Sequence, residues 1–119
     1  MCKRGEIFYT NLGDNHISDK QCGVRPVIVV SNNRANKNSS VITVIPMTSR
    51  LNKKPLPTHV LIEKESSGLD RDSIALAEQI TNLDKERLGI KAGEIIDKVT
   101  MERLAIAIQI QVGIFDEYN

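Results

Sequence analysis

Few side chains in this sequence could do chemistry, and their spacing disposes of several sites at once. His16 and His59 are the only histidines, and Cys2 and Cys22 the only cysteines. No spacing among these four is typical of a metal site, and the cysteines form neither a Cys-x-x-Cys pair nor a disulfide framework. There is no Gly-rich phosphate loop, because the segment Gly23-Val24-Arg25-Pro26 lacks both the lysine and the length. Aromatics are limited to Phe8, Tyr9, Phe115 and Tyr118, too few for a base-stacking platform of the RRM or OB kind. What remains is hydrogen-bonding chemistry. A guanidinium such as Arg25 presents a planar donor fork that matches two phosphate oxygens, the Thr48 hydroxyl can donate one hydrogen bond, and the long amide of Gln79 can read a base edge. Each has a plain alternative: Arg25 as a surface cap on the apolar run behind it, Thr48 as an ordinary strand or turn threonine, and Gln79 as a solvent-facing strand residue.

The net charge of +1 hides an uneven distribution. Residues 20–54 carry Lys20, Arg25, Arg34, Lys37, Arg50, Lys53 and Lys54 and no acid, whereas residues 61–102 hold ten acidic residues against six basic ones. Blocks of one sign suggest a basic face, which attracts polyanions such as nucleic acid; solvated lysines clustered in loops are the simpler alternative.

The elements that must position these residues read as strands first and a helix last. Glu6 to Leu12, Pro26 to Val30 (PVIVV) and Val41 to Met47 (VITVIPM) are predicted strands, with Pro46 marking an edge or bulge. Weaker strands are expected at His59 to Ile62 and Ser73 to Ile80, separated by the charged turn KESSGLDRD. The Asn/Ser-rich SNNRANKNSS, residues 31–40, reads as a turn-rich connection. Ile96, Val99, Met101, Leu104, Ile108 and Val112 recur at helical steps, with Asp97 near the start and Gly113 near the end, and predict a C-terminal amphipathic helix. The class is then α+β, mainly β, with the short strands curled into a small barrel. At 119 residues the chain is expected to form a single domain over 1–119, burying roughly two-thirds of its unfolded surface, so that dimerisation would add useful burial. No apolar signal region or membrane span is present, and a reducing cytoplasm is expected.

Five segments in order resemble the MazF/PemK family of toxins from type II toxin-antitoxin systems. They are KRGEIFYTNL at residues 3–12, with Glu6 where the family has Asp, CGVRPVIVVSN at 22–32, VIPMTSR at 44–50, LPTHV at 56–60 and GLDRDSIALAEQITNLDKERL at 68–88. The last resembles the family's D-S-x-x-x-x-E-Q-I-x-x-x-D-K-x-R-L signature. The resemblance implies an SH3-like barrel of the CcdB/MazF type with a C-terminal helix, a homodimer, and sequence-specific cleavage of single-stranded RNA without metal or cofactor. It also implies inhibition by a cognate MazE-like antitoxin, with no membrane role and with DNA reached only through the antitoxin complex.

The resemblance further implies catalytic roles for Arg25 and Thr48, and RNA contacts for Ser49, Arg50, Leu56, Pro57, His59 and Gln79. Metal-free cleavage needs the 2′-hydroxyl to attack the adjacent phosphorus, leaving a 2′,3′-cyclic phosphate and a 5′-hydroxyl, while a phosphorane of added negative charge is stabilised. An arginine is a poor base, so Arg25 is assigned charge stabilisation first and proton donation second. Histidine is the side-chain type suited to general-base work near neutral pH, but His59 is assigned to binding. Three other readings stay open: a CcdB-like gyrase poison on the same fold, disfavoured by the absence of Trp; a non-catalytic RNA- or antitoxin-binding module; and a purely structural barrel.

Overall fold

A computed structural model describes residues 1–13, 21–52 and 54–115; Asn15, His16, Ile17, Lys20, Lys53 and Tyr118 lie outside them. The strands are β1 (Glu6–Asn11), β2 (Val24–Val29), β3 (Val41–Thr48), β4 (His59–Ile62), β5 (Ser73–Leu76), β6 (Thr81–Asp84) and β7 (Lys91–Glu94). The helices are α1 (Asn33–Asn38), α2 (Lys64–Ser67) and α3 (Lys98–Gln111), and the fold is α+β with a mostly antiparallel, curled sheet, a half-barrel.

Sheet order is β4-β5-β3-β2-β1-β7, with β6 also paired to β3. The middle strand β3 makes the curl. Val41–Val44 face β6, Val44–Pro46 face β2, and Met47 and Thr48 turn to β5. Pro46 was expected at an edge or bulge, yet β3 is central. The proline is accommodated because on the side away from β2 it falls between the last partner in β6, opposite Val44, and the first in β5, opposite Met47, where its missing N–H leaves no ladder bond unmade.

The run PVIVV is apolar throughout because β2 is covered on both faces. Val27 and Val29 join Cys2, Ile42, Val44 and Leu83 in one cluster, while Ile28 and Val30 join Ile7, Ile45, Met47, Ile62 and Leu104 in the other. Each such side chain contributes about 1.5–3 kcal/mol on full burial. The second cluster is closed by α3, whose N-cap Asp97 accepts from Thr100 N–H at 2.9 Å and Thr100 Oγ1 at 2.5 Å. Of the predicted helical stripe, Leu104 is buried and Met101 and Ile108 pack at the core margin, but Ile96, Val99 and Val112 stay exposed.

Four expectations are corrected. The 31–40 connection contains α1, capped by Asn32 Oδ1 on Ala35 N–H at 2.8 Å and anchored by the fully buried Asn36, whose amide bonds Ser31 O at 2.9 Å. Part of KESSGLDRD is helical, ending on Gly68 in the left-handed conformation (φ 78°) that a side chain would resist. The strand expected to reach Ile80 stops at Leu76 and tightens into a 3-10 turn, Ala77–Gln79. The strands β6 and β7 were not anticipated. In β7, Lys91 reaches Glu6 at 2.7 Å and Glu94 at 3.2 Å, and Gly93 passes so close to Ser67 that an added Cβ would lie 2.3 Å from its carbonyl oxygen. Among the described residues no helix is long and apolar enough to cross a membrane.

Candidate active site

Sheet register places Arg25 and Thr48 toward one end of adjacent strands. The β2–β3 ladder is last paired at Val27 and Pro46, and each of the two residues lies two positions further along its strand, toward the same end and, by alternation, on the same face. Arg25 is exposed and pairs with Thr10 of β1; its Nη1 donates to the Val24 carbonyl at 3.3 Å. Among the described residues it has no carboxylate partner. Thr48 is 5% exposed, and its Oγ1 accepts the Arg50 N–H at 3.1 Å. That bond occupies an oxygen lone pair and leaves the hydroxyl proton to be donated elsewhere.

The loop after Thr48 presents Ser49, Arg50, Leu51, Lys54, Leu56 and Pro57 to solvent. It closes on a polar knot. Thr58 Oγ1 donates to Glu78 Oε1 at 2.9 Å, His59 Nε2 lies 3.0 Å from Glu78 Oε2, and Leu56 N–H donates to His59 Nδ1 at 3.3 Å. Gln79, expected on a strand, sits instead on the 3-10 turn, where its Oε1 accepts the Gln21 N–H at 2.7 Å. Sequence reasoning did not single out Thr58, Glu78 or Gln21. The hint was that Thr58 lies in the LPTHV segment and Glu78 in the E-Q step of the family signature, and nothing in spacing shows that Glu78 and Gln79 face two separate segments.

The acid-free block does not form one face. Arg25, Arg50 and Lys54 lie toward the end of β2 and β3 that carries Thr48, whereas Arg34 and Lys37 sit on α1 beyond the other end of the same strands. The first group is joined by Arg87, from the acid-rich half. Its guanidinium binds the Asn11 carbonyl, and its own carbonyl accepts from Thr10 Oγ1 at 2.7 Å, beside Arg25. Chain order thus overstated the charge at one end and missed a cation there.

Comparison with known proteins decides the family. A model described as PemK-like, MazF-like toxin of type II toxin-antitoxin system matches residues 3–112. The chain belongs to the PemK/MazF toxin family. An Endoribonuclease MazF of Staphylococcus saprophyticus is 41% identical over 114 residues, covering 96% of this chain and 93% of that protein. Solved structures share the PemK/MazF fold. An endoribonuclease in complex with its cognate antitoxin from Mycobacterial species superposes with a TM-score of 0.77 at 23% identity, covering 97% of this chain and 98% of the other. MazF from Deinococcus radiodurans gives 0.76 at 21% identity, covering 94% and 96%. In this PemK/MazF chain, Arg25, Thr48, Ser49 and Arg50 share one end of the sheet, and the Leu56–His59 turn is tied to Glu78 of the 3-10 turn that follows β5, which also carries Gln79, bonded to Gln21.

Proposed function

We infer that the chain, like the 41% identical MazF, is an endoribonuclease toxin, and that it cuts single-stranded messenger RNA at specific sequences without a metal ion. The observation that carries this reading is the Arg25–Thr48 pair, a guanidinium with no carboxylate partner among the described residues and a hydroxyl whose oxygen accepts the Arg50 N–H, at one end of adjacent strands. In the proposed reaction the 2′-oxygen attacks phosphorus and loses its proton. The bond from phosphorus to the 5′-oxygen breaks, and that oxygen takes up a proton. Arg25 stabilises the charge that builds on the phosphorane, and Thr48 donates to a second non-bridging oxygen. Ser49, Arg50, Leu56 and Pro57 form the surface that RNA meets, and His59 and Gln79 border it with polar atoms already engaged.

The chain acts in the cytoplasm as a single-domain protomer of a homodimer, for which Leu61, Val99 and Ile106 offer exposed apolar surface on β4 and α3. A cognate MazE-like antitoxin with an acidic segment covers the same end of the sheet and competes with RNA, more weakly as salt rises. Incubating the protein with end-labelled single-stranded RNA in excess EDTA tests the reading. Fragments ending in 2′,3′-cyclic phosphate and 5′-hydroxyl are expected, and a 2′-deoxy nucleotide just 5′ of the cut should block the reaction. Binding without cutting would instead indicate a non-catalytic module.

A further inference from the structure

The 3-10 turn Ala77–Gln79 carries two neighbouring side chains that grip different parts of the chain. Glu78 uses one carboxylate oxygen on Thr58 and the other on His59, at 2.9 and 3.0 Å. Gln79 accepts the Gln21 backbone N–H at 2.7 Å. Gln21 stands four residues before Arg25, and its approach to β2 is tied to β1 by Leu12 N–H on the Gly23 carbonyl at 2.8 Å. Thr58 and His59 end the loop that begins after Thr48, and the Thr58 carbonyl accepts the Ala77 N–H at 3.1 Å. One short turn therefore holds the segments leading to both members of the Arg25–Thr48 pair.

The same bonds locate the His59 proton. Because Nδ1 accepts the Leu56 N–H at 3.3 Å, the neutral ring carries its hydrogen on Nε2 and donates it to Glu78. The Leu56 carbonyl in turn accepts the His59 N–H at 3.0 Å, so one histidine satisfies both backbone groups of Leu56 and sets the turn between them. A general base must direct an accepting nitrogen at the substrate hydroxyl. Here both nitrogens face protein, and the side chain is 9% exposed.

We propose that Glu78 and Gln79 are positioning residues of the RNA-cleaving site, that Glu78 acts through His59 and Thr58 on the loop following Thr48, and that His59 is a strut and not the base for the 2′-hydroxyl. This rests on the endoribonuclease reading above. The magnitude at stake is large for groups that touch no reacting atom, because misplacing a reactive group by about 1 Å costs on the order of a hundredfold.

The experiment compares single-turnover cleavage of one single-stranded RNA across RNA concentration and across about pH 5 to 9, with thermal unfolding of each protein as a control for the fold. The proteins are wild type, Glu78→Ala, Glu78→Gln, His59→Asn and Gln79→Ala. Glu78→Ala and Gln79→Ala should each lower kcat/KM about tenfold to a hundredfold, mostly through KM. Glu78→Gln keeps an acceptor for one of the two donors and should recover part of the loss, which also guards against an alanine variant that does not fold. His59→Asn keeps an acceptor for the Leu56 N–H; it should raise KM and leave the shape of the pH–rate profile as in wild type. Wild-type kinetics in folded Glu78 and Gln79 variants would overturn the positioning role. Loss of one limb of the profile in His59→Asn, with kcat down a hundredfold or more, would make His59 the base. A wild-type protein that cuts no RNA would sink the enzyme reading itself, an outcome separate from these.

Discussion

The two ends of the sheet treat their charged side chains in opposite ways. Where β1 meets β7, Lys91 lies 2.7 Å from Glu6 and 3.2 Å from Glu94, and Lys3 N–H bonds Glu6 Oε1 at 2.6 Å. Burial alone would push the Glu6 carboxyl upward, but the Lys91 ammonium and the Lys3 N–H hold it below the usual glutamate range. The two carboxylates likewise raise Lys91 above an ordinary lysine. At the Arg25 end the cations bond, among the described residues, to backbone: Arg25 to the Val24 carbonyl, and Arg87 to that of Asn11. Paired charges hold strands together. Among the described residues the cations at the Arg25 end have no acid partner, which leaves their charge open to the RNA phosphate proposed above, and substitutions at the two ends should therefore fail in different measurements.

The largest expected effect is at the Arg25 end. Arg25→Ala should slow single-turnover RNA cleavage by on the order of a thousandfold, because the lost group acts on transition-state charge, with the unfolding temperature unchanged. A cleavage rate near wild type in a folded variant would erase the contrast. Gly93→Ala should do the reverse. Its Cβ would meet the Ser67 carbonyl, a backbone atom that cannot swing aside, so stability should fall by about 1–3 kcal/mol in denaturant titrations while the folded fraction cleaves RNA at the wild-type rate.

The smallest effect is the acid dependence of the β1–β7 end. A carboxyl with a lowered folded pKa adds stability above its unfolded value, near 4.5, and loses it as pH falls through the folded one. Denaturant midpoints should therefore drop below about pH 4.5 in wild type, with a smaller drop in Glu6→Gln. Equal slopes in the two proteins would mean that the Glu6–Lys91 contact adds no pH-dependent stability.

What could be read from the chain follows the same division. The run PVIVV announced β2 because both of its faces are buried, and Asp97 announced α3 because a side-chain cap leaves a local mark. The segment Lys91–Glu94 has no apolar alternation; it is a strand because Glu6, distant in sequence, meets Lys91, and because Gly93 fits against Ser67. Likewise α1 depends on Asn36 being buried among polar partners, which an Asn/Ser-rich composition conceals. Arg25 and Thr48 were singled out as candidates through resemblance, since neither residue type is unusual where it stands. The contacts of Glu78 and Gln79 stayed hidden because their partners are 20 and 58 residues away in Thr58 and Gln21.

The central claim, that Arg25 and Thr48 act on one phosphate, is tested most directly by a double-mutant cycle in single-turnover cleavage of one RNA. Thr48→Val keeps the shape and removes the hydroxyl, Arg25→Ala removes the guanidinium, and the two are then combined. If both groups serve the same phosphorane, the double variant should be hardly slower than Arg25→Ala alone, because residues that act as a unit are strongly non-additive. Losses that multiply in full would place the two residues at separate tasks and contradict the site described above.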